Sequence, residues 1–138
     1  MPLSSAEPLL VLLIDDHEDT REMYCEYLRT VDGVGLVEGV TPQTAFKRSV
    51  ETLPSVVVTD YKMAGVDGFE LCTRLRAHPA TSHIPLVMLT GHGDAHDLQK
   101  FLSVCAAVLL KPVDPETLLA EVRRAVALGQ RFTAVHDD

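Results

Sequence analysis

Apolar and polar positions follow two rhythms along this chain. Five short runs rich in β-branched residues, at positions 9–14, 34–40, 56–59, 86–90 and 106–110, have the length of strands, and four of them are apolar almost throughout. Between and after them, apolar residues recur at helical spacing: Tyr24, Tyr27, Leu28 and Val31; Phe46, Val50 and Leu53; Leu71, Cys72 and Leu75; Leu98, Phe101, Leu102 and Cys105; Leu118, Leu119, Val122 and Val126. These predict five amphipathic helices. Asp32-Gly33 closes the first, Thr41-Pro42 and Asp114-Pro115 offer a cap and a first-turn proline to the second and fifth, and Gly129 is expected to follow the fifth.

Strict alternation of strand and helix implies a parallel sheet with helices on both faces, because parallel strands need a crossover and their apolar residues must be covered on each side. The second run, VGLVEGV, is the most polar and glycine-containing, which suits an edge. The expected fold is therefore α/β, a doubly wound, flavodoxin-like (βα)5 three-layer sandwich with strand order 2-1-3-4-5. In such sheets ligands bind beyond the carboxyl ends of the strands, at the switch point between strands 1 and 3.

With 138 residues and 46% apolar content, the chain has the size of one domain. We expect a loose leader over residues 1–8, a folded unit over 9–129 and a frayed tail over 130–138. The formal net charge of -8 disfavours direct contact with nucleic acid or an anionic membrane. The first twenty residues carry no Lys or Arg, and the apolar run after Pro8 is too short for a signal or membrane segment. A soluble, cytoplasmic protein is expected. Cys25, Cys72 and Cys105 are odd in number and lie in apolar patterns, so they read as reduced core residues.

The residues at the predicted strand ends are Asp15 and Asp16 after the first, Asp60 after the third, Thr90 closing the fourth and Lys111 after the fifth. The acidic pair alone allows three readings: a helix cap with a spare charge, an acid/base pair, or part of a cation site. Asp19 or Thr20 can supply the cap, which leaves the pair available. Three carboxylates gathered on one rim raise one another's pKa unless a cation neutralises them, and all-oxygen ligation suits Mg²⁺ or Mn²⁺. An EF-hand is a poor alternative, since neither DDHEDT nor DYKMAG has the required glycine and alternating ligands. At the end of a central strand Asp60 can attack a phosphoryl group to give an acyl phosphate, with Lys111 and the Thr90 hydroxyl binding the phosphoryl oxygens.

The ordered set LLIDDHED, VVVTDYKMAGVDGFEL, LVMLTGHGD and LLKPV resembles the receiver domains of two-component response regulators, over roughly residues 9 to 128. The intervals fit as well: 44 residues from Asp16 to Asp60, 30 from Asp60 to Thr90, and 21 from Thr90 to Lys111, the last about one short of the usual family spacing. The resemblance implies that Asp60 accepts a phosphoryl group from a phosphohistidine of a histidine kinase or histidine phosphotransfer protein. It also implies that Asp15, Asp16, Asp60 and the carbonyl of Lys62 organise Mg²⁺, that Thr90 and Lys111 report phosphorylation, and that Lys111-Pro112 is cis. Lys62 and His92 match positions that tune access of water to the acyl phosphate. Val108 stands where the family usually has an aromatic switch residue, Val104 where glycine is common and Ala64 where proline is common. A valine cannot make the aromatic's rotation, so the signal is expected to pass mainly through Thr90 and the loop GHGDAHD.

Two other functional classes use a similar fold. A haloacid dehalogenase-type phosphatase would use Asp15 as nucleophile, but the position two residues later is His17 rather than an acid. A flavin module would need a hydroxyl- and glycine-rich loop where the acidic pair stands. His92 and His96, four apart, and the nearby His17 read as solvated loop residues rather than a transition-metal clamp. The output is expected to be a downstream protein or a homodimer through the fourth and fifth helices, in a stand-alone receiver or one part of a larger regulator.

Overall fold

The computed structural model describes residues 8–91 and 96–136, with the side chains of the last helix described as far as Gly129. Strands β1 (Leu9–Ile14), β2 (Val34–Val40), β3 (Val56–Asp60), β6 (Leu86–Thr90) and β7 (Ala107–Leu110) form a parallel sheet in the order β2-β1-β3-β6-β7. Counted as the five predicted runs, this is the order 2-1-3-4-5. Helices α1 (Glu18–Arg29), α2 (Ala45–Thr52), α3 (Gly68–Ala77), α4 (Leu98–Leu102) and α5 (Pro115–His136) complete the alternation.

Side chains that alternate along each central strand divide between two apolar layers. Val11, Leu13, Val56, Val58, Val87 and Leu89 pack with Tyr24, Cys25 and Leu28 of α1 and Leu118, Val122 and Ala125 of α5. Leu12, Ile14, Val57, Leu86 and Met88 face the other way, against Ala45 of α2, Leu71, Cys72 and Leu75 of α3, and Phe101 of α4. Both faces of β1, β3 and β6 are thus removed from water, at about 1.5–3 kcal/mol for each large aliphatic side chain buried. This is why those runs read as continuous apolar stretches. β2, as an edge, leaves Leu36 exposed.

Several local expectations are corrected. Gly129, expected to follow the fifth helix, lies inside α5, which runs to His136. A β-carbon at Gly129 would stand 3.0 Å from Pro85 Cγ, so the glycine answers to close helix packing rather than to termination. Leu53, expected on the buried face of α2, is instead its exposed C-cap in the left-handed region at φ 48°. There it closes the last turn with its N–H on the Ser49 carbonyl at 2.9 Å. Ala45 and Ser49 form the buried face. α4 spans five residues and buries Phe101, while Leu98 and Leu102 remain exposed.

A further pair of strands escaped the hydrophobic pattern. β4 (Lys62–Met63) and β5 (Val66–Asp67) form a small antiparallel hairpin directly after β3. Gly65 makes its turn at φ 75°. Asp67 then caps α3, its Oδ1 accepting the N–H groups of Phe69 at 2.7 Å and Glu70 at 3.3 Å. Among the described residues no helix is long and apolar enough to cross a membrane.

Candidate functional site

β1 delivers the acidic pair to the carboxyl rim of the sheet. Asp15 is buried, and its Oδ1 accepts the His17 N–H at 2.8 Å while its carbonyl accepts from Arg21 Nη1 at 2.7 Å. The N-cap of α1 is His17, without a side-chain cap, so Asp19 and Thr20 lie inside the helix and do not serve as caps. Asp16 reaches the other way, and its Oδ2 accepts the Ala64 N–H of the β4–β5 turn at 2.8 Å. That hydrogen bond is the main reason its carboxyl is held below the usual range. His17 Nδ1 lies 3.5 Å from Asp15 Oδ1 and 3.2 Å from Asp16 Oδ1. Each of the three residues offers a metal-ligand atom within 4.8 Å of the others.

β3 ends on Asp60, which closes the strand rather than following it. The residue is 1% exposed, and Lys111 Nζ stands 3.1 Å from Oδ1 as an ion pair. Among the described residues no donor is aligned to hydrogen-bond either Asp60 oxygen, and the buried Asp16 Oδ1 is in the same condition. Burial, and secondarily the charge of Asp15, push the Asp60 carboxyl up from 3.8 to about 6, with Lys111 opposing them. The turn after Asp60 admits only glycine at its far side: a β-carbon at Gly68 would meet the Asp60 carbonyl at 2.1 Å.

Asp15, Asp60 and Lys111 line one cleft of about 460 Å³, together with His17, Thr20, Tyr24, Leu89, Pro112 and Val113. Thr90 is buried at the end of β6, and its carbonyl accepts the Lys111 N–H at 2.8 Å. The Lys111–Pro112 peptide bond is cis. Lys62 lies on β4 with an exposed side chain, its Nζ 5.9 Å from the Tyr61 ring centre. Val108 is partly buried against the layer that holds Phe101, so the predicted switch position faces an aromatic cluster without contributing to it. In that cluster the Phe101 ring lies 4.6 Å from Tyr61 and 6.1 Å from Phe69. His92 and residues 93–95 of the predicted switch loop lie outside the described residues. His96 is exposed, with Nε2 3.6 Å from Asp97 Oδ2.

Tyr24 was missed as a site residue because its spacing marks it only as part of an apolar helix face. In the fold its hydroxyl donates to the Val113 carbonyl at 2.5 Å, tying α1 to the loop after Lys111. Burial and the charges of Asp60 and Asp15 push its hydroxyl pKa up. Ala64 was noted only as a departure from proline, yet its N–H is the donor that fixes Asp16; a proline there would have none to give. The rim as a whole presents carboxylate oxygens that are buried and short of donors, which is the chemistry that accepts a hard divalent cation.

The family model for the response regulator receiver domain matches residues 11–123. The chain belongs to the response regulator receiver family. Response regulator Rre1 of Synechocystis sp. is 32% identical over 126 residues, covering 91% of this chain and 54% of that protein. Response regulator PleD of Caulobacter vibrioides is 32% identical over 131 residues, covering 93% of this chain and 27% of its own length. This receiver therefore spans about half of one curated relative and about a quarter of another. The chemotaxis response regulator CheY4 of Vibrio cholerae shares the fold with a TM-score of 0.76 at 27% identity, over 86% of this chain and 98% of that one. These matches give no support to a phosphatase of the haloacid dehalogenase type.

Proposed function

We propose that Asp60 is the phosphoacceptor of this receiver domain, taking a phosphoryl group from a phosphohistidine of a histidine kinase or histidine phosphotransfer protein. The observation that carries this reading is the buried Asp60 carboxylate, with no aligned hydrogen-bond donor, facing a cleft beside Lys111. An Asp60 oxygen attacks phosphorus as the P–N bond to the donor imidazole breaks. The imidazole keeps the bonding pair and takes up a proton, and Asp60 becomes an acyl phosphate. Attack of water on phosphorus later restores the carboxylate and releases inorganic phosphate. With its pKa near 6, Asp60 is chiefly the nucleophilic anion at neutral pH.

Asp15, Asp16, Asp60 and the Lys62 carbonyl would hold Mg²⁺ or Mn²⁺. When bound, the ion offsets the negative charge of the carboxylates and of the phosphoryl oxygens. The Lys111 ammonium leaves its pair with Asp60 for a phosphoryl oxygen, and the Thr90 hydroxyl donates to another. Because Val108 cannot swing as an aromatic would, the change spreads through Thr90 into residues 91–97, with Lys62 and His92 setting the lifetime of the acyl phosphate. The output is a downstream protein or a second copy docked through α4 and α5, in the cytoplasm, where sensor-kinase phosphohistidines form.

Intact-mass measurement after treatment with a small phosphodonor and Mg²⁺ tests the assignment. The wild-type chain should gain one phosphoryl group and Asp60→Asn none. Equal labelling of both, or a label mapped to Asp15, overturns it.

A further inference from the structure

Cys72 on α3 and Cys105, which precedes β7, are 33 positions apart in sequence, yet their sulfurs lie 3.8 Å apart. Cys25, the third cysteine, is buried in the opposite apolar layer, on the far side of the sheet. Composition and spacing made all three look like inert core residues. The fold separates one of them from a buried dithiol.

The two sulfurs of that pair are not equivalent. Cys72 is fully enclosed, whereas Cys105 lines a cleft of about 600 Å³ with Arg76, Leu102 and Leu128. Both leucines are more than 40% exposed, so the cleft opens to solvent on the Cys105 side of the pair; Cys105 itself is 6% exposed and Cys72 is 0% exposed. Arg76 is fixed at the wall of this cleft: its Nε donates to the Val104 carbonyl at 3.0 Å, and its Nη1 donates to the carbonyls of Ser82 at 2.8 Å and Ile84 at 2.7 Å. Those three carbonyls hold a cation next to a thiol, a setting that favours the thiolate. The contact with Cys72 and then the Arg76 charge draw the Cys105 thiol down, while Cys72 is pushed up by the same contact and by burial. Cys105 is thus the sulfur that faces the cleft, with the fixed guanidinium of Arg76 on the same wall.

We propose that Cys72 and Cys105 form a hydroperoxide-responsive thiol pair, with Cys105 as the attacking sulfur and Cys72 as the resolving one. The Cys105 thiolate attacks the O–O bond of a hydroperoxide. That bond breaks, the sulfur becomes a sulfenic acid, and the alkoxide or hydroxide leaves with a proton as alcohol or water. The Cys72 sulfur then attacks the Cys105 sulfur, the S–O bond breaks, and the hydroxyl leaves with the Cys72 proton as water. Two thiols lose two electrons in total and the peroxide gains them. A disulfide S–S bond is about 2.05 Å, so the sulfurs must close by about 1.8 Å. The resulting bond ties α3 to the segment that feeds β7, bracketing α4.

Peptide mapping of the fully reduced chain after hydrogen peroxide treatment with EDTA, and alkylation in denaturant, tests the proposal. The expected product is a Cys72–Cys105 cross-linked peptide with Cys25 alkylated, unaffected by Cys25→Ala. Dimedone included during oxidation of Cys72→Ala should tag Cys105, and in Cys105→Ala the modification of Cys72 should fall at least tenfold. The wild-type map decides the matter even where a variant does not fold. Three alkylated cysteines after peroxide, with the native amide spectrum retained, overturns the proposal, and so does a cross-link through Cys25.

Discussion

Glu38 and Asp60 are acids on strands of the same sheet, and they are treated in opposite ways. Glu38, on edge strand β2, receives both Nε and Nη2 of Arg48 at 2.6 Å, and this forked hydrogen bonding holds its carboxyl below the ordinary range. Asp60, at the end of central strand β3, has one ammonium beside it, no aligned donor and a carboxyl raised to about 6. A charge kept for structure is met with donors, whereas a charge kept for chemistry is left short of them. Under the proposed function, a cation and a phosphoryl group would supply the partners that the rim carboxylates lack.

The largest test of that contrast removes a carboxylate from each place. Asp16→Asn leaves the Ala64 N–H with an acceptor but takes one negative charge from the rim. Affinity for Mg²⁺ should fall at least about tenfold, read by calorimetric titration, with a matching loss in the rate of Asp60 labelling at limiting Mg²⁺. Glu38→Gln, away from the rim, should leave both within a factor of about two. Comparable losses in the two variants would mean that the rim has no special hold on the cation.

Asp60→Asn probes the cost of the buried charge directly. The folded carboxyl binds its proton more tightly than the unfolded one, so its contribution to stability is present below pH 4 and is lost as pH rises through about 6. At neutral pH in EDTA the substitution should therefore stabilise the chain by about 2 kcal/mol, after allowing for screening across the open cleft, and should raise the unfolding midpoint by several degrees. The gain should vanish near pH 4, where the wild-type carboxyl is neutral. Tyr24→Phe should act in the opposite sense by about 1 kcal/mol at any pH below the tyrosine's titration, since it orphans the buried Val113 carbonyl. Thermal unfolding followed by circular dichroism measures both.

What could be read without the fold follows a physical division. β1, β3 and β6 were legible because burial on both faces leaves continuous apolar runs, and Asp15, Asp16, Asp60, Thr90 and Lys111 were legible because each directly ends or follows such a run. The hairpin Lys62–Met63 with Val66–Asp67 was not, since two-residue strands are too short to show a period. Tyr24 on Val113 and Cys105 on Cys72 were also hidden: each contact joins elements that the chain order keeps 89 and 33 residues apart. Gly129 misled because glycine both ends helices and permits close packing, and only the position of Pro85 tells which.

The smallest expected effect belongs to Arg48→Ala, and its pH dependence is its value. Side chains of Arg48 and Glu38 are 37% and 27% exposed, so water can replace much of what the guanidinium supplied. The unfolding midpoint should drop by about a degree, and labelling of Asp60 should not change. Glu38 is depressed in the folded state, so the pair's contribution is fully present above the ordinary carboxyl pKa of 4.5 and is lost below it, as pH falls through the lower folded value. The deficit of Arg48→Ala should therefore be greatest at neutral pH and shrink on acidification. The gain of Asp60→Asn has the opposite sign and should shrink at a higher pH, as the solution is acidified through about 6. Unfolding midpoints of both variants from about pH 2 to pH 8 would display one acid that stabilises the fold when ionised and one that strains it. Parallel deficits in both would erase the distinction between them.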